Sequence, residues 1–221
     1  HSWGYEPCTM KDIKTFKPAT NSISTGQVLH CPYNYEQTKL IVKEMTDLLV
    51  LDLVEKQLVT NQIVLTVGYD VDNLIDPNLR KFYKGKITTD RYGRKIPKHA
   101  HGTINLREKT SSTKLIMEAV EELYDRIINK NLLVRRIYVV ANNVVNESKI
   151  DNNKQTEQIS LFVNYEEQEA EKKKRNTENK LQHAIINIKN KYGKNAILKG
   201  MNLEKDGTTI ERNAQIGGHK E

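Results

Sequence analysis

Between residues 36 and 58, Ile41, Met45, Leu48, Leu51, Val54 and Leu58 recur at steps of three and four. That spacing lays apolar side chains in one stripe along a helix. The period then changes. Over residues 61–69, Ile63, Leu65, Val67 and Tyr69 alternate with Val64, Thr66 and Gly68, which predicts a strand buried on one face. Alternation returns at 98–106, with Ala100, Gly102, Ile104 and Leu106 on one side and His99, His101, Thr103 and Asn105 on the other. A second helix is predicted over 113–129, capped by Ser111 or Ser112, with Ile116, Val120, Leu123 and Ile127 as its stripe. Residues 132–145 predict a further strand in which Arg135, Ile137, Val139 and Ala141 alternate with Arg136, Tyr138, Val140 and Asn142. Upstream, 21–30 reads as a strand with a bend at Gly26.

The order is strand, helix, strand, strand, helix, strand over residues 21–146. That is the split-βαβ, ferredoxin-like order of an α+β domain, a four-stranded antiparallel sheet with two helices on one face. The other face stays open and gathers Ser22, Ser24, His99, His101, Thr103, Asn105, Arg136 and Asn142. A polar and basic sheet face suits a phosphate backbone. Between the second and third strands, residues 70–97 are irregular and carry Arg80, Lys81, Lys84, Lys86, Arg91, Arg94 and Lys95, a basic excursion. Residues 1–20 read as a connector with a helical turn after Thr9. Residues 147–221 form a flexible, partly helical tail, with a helix at about 176–192 that closes at Gly193.

Composition narrows the class. The 221 residues are 37% hydrophobic and 29% charged, with a net charge of +7, and a pI of about 9.2 favours a polyanionic partner. No apolar run reaches the length of a membrane span and no signal peptide opens the chain, so no membrane is expected. Cys8 and Cys31 form neither a metal spacing nor a disulfide framework, which fits reduced thiols and a cytoplasmic location. A chain that opens on His1 reads as a piece of a longer protein.

Two pairs invite a metal. Asp70 and Asp72 spell Asp-x-Asp, the kind of pair that holds Mg²⁺, but they fall where a strand runs into a loop and read as its terminator. His99 and His101 share a strand face, but no cysteine or acidic pair completes a tetrahedral zinc set, so both read as surface or DNA-facing. No catalytic and no metal residue is assigned.

In the polar tail, Gln158, Ile159, Ser160, Leu161 and Phe162 stand alone as an apolar cluster. Gln-x-x-Leu-Phe resembles the short motif by which bacterial polymerases and repair proteins dock on the sliding clamp. Together with Trp3-Gly4-Tyr5-Glu6-Pro7, Asn21-Ser22-Ile23-Ser24, Thr103-Ile104-Asn105-Leu106, Val134-Arg135-Arg136-Ile137, Lys191-Tyr192-Gly193-Lys194-Asn195-Ala196 and Ile216-Gly217-Gly218-His219, the chain resembles the end of a Y-family translesion DNA polymerase of the UmuC/DinB-like group. The resemblance implies a little-finger domain over 21–146 that grips template–primer DNA, a clamp-binding motif at 158–162, and action in translesion synthesis, DNA repair and the SOS-type damage response. It implies Ser22, Ser24, Lys98, His99, His101, Thr103, Arg107, Arg135 and Arg136 as DNA contacts. The catalytic carboxylates and their Mg²⁺ would belong to a palm absent from this chain, which performs no chemistry, binds no cofactor and is expected to be a monomer. The alternatives are a non-catalytic clamp-binding accessory protein of the same family and an RNA-binding ferredoxin-like module, which would stack bases on sheet aromatics such as Tyr138.

Overall fold

A computed structural model of the chain describes residue 4 and residues 6–16, 21–149 and 165–215. A short helix, α1 (Met10–Thr15), opens on a capping box in which the Thr9 hydroxyl accepts from the Asp12 N–H and Asp12 accepts from the Thr9 N–H. The domain then runs β1 (Ile23–Tyr33), α2 (Tyr35–Glu55), β2 (Leu58–Tyr69), α3 (Asp72–Ile75), α4 (Pro77–Arg80), β3 (Ile87–Thr89) and β4 (Lys95–Pro97). It continues with β5 (Ala100–Thr110), α5 (Thr113–Ile127), β6 (Val134–Asn142) and β7 (Val145–Asn146). Two further helices, α6 (Tyr165–Tyr192) and α7 (Thr209–Asn213), lie in the tail.

The main sheet has the order β1-β6-β2-β5, every neighbour antiparallel. Helix α2 carries the chain from β1 to β2 across β6, and α5 carries it from β5 to β6 across β2, so each crossover brackets one inserted strand. The α+β architecture is the expected one, with a small addition. After a kink at Asn143, which takes a left-handed φ of 53°, the chain continues in the direction of β6 and β7 pairs antiparallel with the start of β2, making a fifth strand.

The core lies between the sheet and its two helices. Ile63, Leu65 and Val67 of β2 and Ile137, Val139 and Ala141 of β6 are fully buried beneath Ile41, Met45 and Leu53 of α2 and Ile116, Val120 and Leu123 of α5. Helix α2 is buried around more of its circumference than one stripe requires: Thr38, Glu44, Thr46 and Asp47 are buried too. The reason is a third layer. Helix α6 begins at Tyr165, well before residue 176, and Ile186 packs into the core. Its Gln182 amide donates to the Ser111 carbonyl and the Thr113 hydroxyl, both at 2.9 Å. Its Glu178 accepts from the Ser112 hydroxyl (2.7 Å) and the Lys114 N–H (3.1 Å), an anion placed at the N-terminus of α5. Residues after Gly193, expected to be mobile, dock on the far side of α2 through buried Asn202, Thr208 and Thr209. Among the described residues, no helix is long and apolar enough to cross a membrane.

Close approach explains one glycine in the core layer. A Cβ at Gly102 of β5 would stand 2.7 Å from Ile127 Cγ2 and 2.9 Å from Leu123 Cδ1. Gly102→Ala should therefore overpack the α5–sheet contact and cost roughly 1–3 kcal/mol. A melting curve checks this, and an unchanged Tm would mean that α5 shifts freely on the sheet.

Gly26 does not bend β1. The strand runs through it in register with Tyr138, and its irregularity falls between Val28 and Tyr33.

Candidate nucleic-acid interface

Strand register arranges the uncovered face in rows. Ser24, Val140, Val64 and Thr103 form one, and Gly26, Tyr138, Thr66 and His101 the next. Val28, Arg136 and Gly68 close the end nearest the 70–98 excursion. At the opposite end Asn142, Gln62 and Asn105 are linked, the Gln62 amide donating to Asn105 (2.8 Å) and the Asn142 amide to Gln62 (3.2 Å). The Thr66 hydroxyl and His101 Nδ1 are hydrogen-bonded at 2.9 Å. These side chains are half-buried or exposed, so the face is a lattice of donors and acceptors held by its own neighbours.

Of the residues assigned to DNA, Ser24, His101, Thr103 and Arg107 lie on this face and are exposed, and Arg136 is half-buried among them. Ser22 is exposed just ahead of β1. Lys98 and His99 precede β5 rather than belonging to it; His99 meets His101 edge to face at 6.3 Å between ring centres. Arg135 is placed differently. Gly68 pairs with Arg136 but Tyr69 with Val134, so Arg135 is an extra residue, a bulge that breaks the alternation. Its Nε sits 3.8 Å from Asp70, whose side chain is only 8% exposed. The residues at 158–162 lie outside the described residues.

Asp70 and Asp72 build a turn. Asp70 Oδ1 accepts the Asp72 N–H at 2.9 Å, and buried Asn73 donates to the Asp70 and Leu133 carbonyls and accepts from the Leu133 N–H. Among the described residues no group of three or more His, Cys, Asp or Glu could hold a metal ion.

Three features extend the sequence reading. Gln62 joins the face by the same parity as Val64, a signal that was available. Tyr138 is 43% exposed and lies over Gly26, where a Cβ would stand 2.7 Å from its ring; this is what the glycine permits. The basic excursion is ordered: it holds α3, α4 and the β3–β4 hairpin, fixed by the buried Tyr83. Where the hairpin meets the end of the face there is a cleft of about 400 Å³. Arg94, Arg135 and Arg136 line it together with Asp70, Asp72 and Asp90. Burial alone would raise the Asp90 carboxyl, but the Arg94 and Tyr92 N–H groups and the Arg94 guanidinium hold it below the usual carboxylate range.

A comparison with protein families matches residues 20–161 to the impB/mucB/samB family C-terminal domain. The match takes in all four long strands, both covering helices and residues 158–161. No curated protein gives a match.

Proposed function

The chain belongs to the impB/mucB/samB family through its C-terminal domain, the C-terminal domain of Y-family polymerases such as UmuC/DinB, and we propose that it grips template–primer DNA with its open sheet face and tethers its parent polymerase to the sliding clamp during translesion synthesis. The observation that carries the reading is the uncovered face itself. Among the described residues the four long strands carry no helix on one side, and that side is lined with hydroxyls, amides, His101, Arg107, Lys109 and Arg136. Hydroxyls and cations of this kind hold phosphates and fix position without reading sequence. The chain itself then positions and tethers; the reaction and its Mg²⁺ belong to the parent's palm. Gln158 to Phe162 carry the tether on their spelling.

Binding to duplex DNA should weaken steeply with salt and be alike on unrelated sequences. Arg136→Ala should flatten the plot of log K against log salt by about 0.9, the loss of one phosphate contact. Arg135→Ala should behave differently, lowering Tm because it leaves buried Asp70 without its cation. Anisotropy titrations at several salt concentrations read the first and a melting curve the second; a strong sequence preference or a flat salt dependence in the unmodified chain would sink the DNA reading. Tighter binding to single-stranded RNA that Tyr138→Ala abolishes would favour the RNA-binding alternative.

A further inference from the structure

The β3–β4 hairpin has a construction that the open face does not explain. Its base is clamped: the Tyr83 hydroxyl donates to the Lys86 carbonyl and accepts from the Lys98 N–H (3.0 Å), and the Lys98 N–H also meets the Lys86 carbonyl at 2.8 Å. Tyr83 is buried, and a Cβ at Gly85 would stand 2.8 Å from its ring, so that ring cannot be displaced cheaply. The tip is built with equal care. Asp90 accepts from the Tyr92 and Arg94 N–H groups, each at 2.9 Å, and Gly93 takes the left-handed φ of 78° that closes the turn. Arg94 pairs with Asp90 at 2.7 Å and lies 5.3 Å over the Tyr92 ring.

Rigidity at the tip serves no core. Tyr92 is 70% exposed, and Arg91 and Lys95 are exposed beside it. Residues 84–98 carry six Lys or Arg and one acid, Asp90, which Arg94 already matches. Arginine and tyrosine are common at protein interfaces, but four of the six cations here are lysines, which interface cores disfavour. The ribbon suits a polyanion of defined shape: a duplex groove admits a two-stranded ribbon. Single-stranded nucleic acid would need an open aromatic face to stack on, and Arg94 covers one side of Tyr92. The ribbon also borders the open face, because Asp90, Arg94 and Ile96 share a cleft with Val28, Gly68 and Arg136.

We infer that the β3–β4 ribbon is a second, preorganised contact to the backbone of the same duplex that the open face holds, with Arg91 and Lys95 on phosphates and the Tyr92 ring against the sugar–phosphate chain. This rests on the open face binding DNA and adds to it a separate arm. Arg91→Ala/Lys95→Ala in the full chain should flatten the salt plot by about 1.8, two phosphate contacts. It should also shorten the hydroxyl-radical footprint at one end while protection by the sheet persists. Lys180→Ala/Lys191→Ala, which removes the same charge from exposed positions on α6, should leave slope and footprint as they were. If the unmodified chain binds no duplex, the open-face reading fails and takes the ribbon with it. If the unmodified chain binds and Arg91→Ala/Lys95→Ala shows its full slope and footprint, the ribbon assignment alone is overturned. A loss confined to probes with a single-stranded overhang overturns the duplex assignment.

Discussion

Glu44→Ala should release the last part of the tail from the domain. Glu44 is 2% exposed in the middle of α2. Its two oxygens accept from the Asn202 amide (3.0 Å), the Thr208 N–H (2.8 Å) and the Thr208 hydroxyl (3.3 Å). Gly207 is fitted against the same carboxylate, a Cβ there standing 3.1 Å from Glu44 Oε1. Around this seam the Gln27 amide donates to the Thr208 hydroxyl (2.9 Å), the Lys199 ammonium pairs with Asp47, and Arg212 donates to Thr25 (2.7 Å) and to the Gly26 carbonyl (3.2 Å). Alanine would leave the Thr208 N–H and one of the two Asn202 amide hydrogens without an acceptor, while the Asn202 amide keeps Thr209 and the Thr208 hydroxyl keeps Gln27. Each unmet donor costs on the order of 1–3 kcal/mol, so docking should weaken by roughly 2–6 kcal/mol. At about 1.4 kcal/mol per factor of ten, the undocked population would rise by a factor of roughly 30 to 20,000. Glu44→Gln keeps one acceptor and turns an NH₂ toward the other donor, so it should fall between. Hydrogen exchange at the Thr208 amide and tryptic cleavage after Lys199 or Lys205 read the release. Unchanged exchange would mean that the seam is held by something other than Glu44.

The same variant addresses where the folding unit ends. Among the described residues Ile186 is the tail side chain buried in the apolar core, with Ile185 packed against it; the buried tail residues beyond Gly193 are polar. Residues 21–146 enclose their own core between sheet, α2 and α5, and we propose that they unfold as one cooperative unit even with the tail released. Loss of the whole melting transition in Glu44→Ala would place the tail inside that unit.

These contrasts show which parts of the molecule a sequence displays. Period carries far: the alternation of Ile63, Leu65 and Val67 and the stripe of Ile116, Val120 and Leu123 each reported a buried face, because burial on one side is a repeating local demand. What escaped is what depends on partners distant in sequence. Leu49 and Val50 are buried while Leu48 is only partly so, because α2 is covered by the tail as well as by the sheet, and no period within α2 announces a third layer. Glu44 looks like an ordinary helix-surface acid until Asn202 and Thr208, some 160 positions away, supply its donors. The bulge at Arg135 is likewise a property of pairing with Gly68 and Tyr69, so alternation alone put that arginine on the wrong footing. The hairpin had a local signal, Asp90 and Gly93 between two short extended runs, but residues 70–97 read as an irregular basic excursion. The candidate face was legible in its parity, and its amide ladder was not.

Leu161→Ala/Phe162→Ala should abolish binding to the sliding clamp while leaving duplex affinity unchanged. The two side chains, with Ile159 and Val163, form an apolar cluster between strongly polar flanks: Asp151 to Glu157 precede it and Glu166 to Arg175 follow. Buried in a partner's pocket, a leucine and a phenylalanine contribute about 1.5–3 kcal/mol each. Gln158 would supply the hydrogen bonds that set the register of an extended peptide. Ordering the segment opposes part of that gain, so a peptide of these residues alone should bind at about micromolar strength. Dissociation at that level lets a polymerase reach a stalled end, extend past it and leave. The rival is that Leu161 and Phe162 pack on their own domain. It makes the opposite forecast for the same double variant, a lower Tm with clamp binding intact. A clamp pull-down and a melting curve on that one protein separate the two, because a side chain buried in a partner's pocket does not also stabilise the free chain. Gln158→Ala adds a second discriminator: a docking peptide should lose clamp affinity through it with no change in Tm, whereas a segment held by apolar packing alone should be indifferent to it in both measurements.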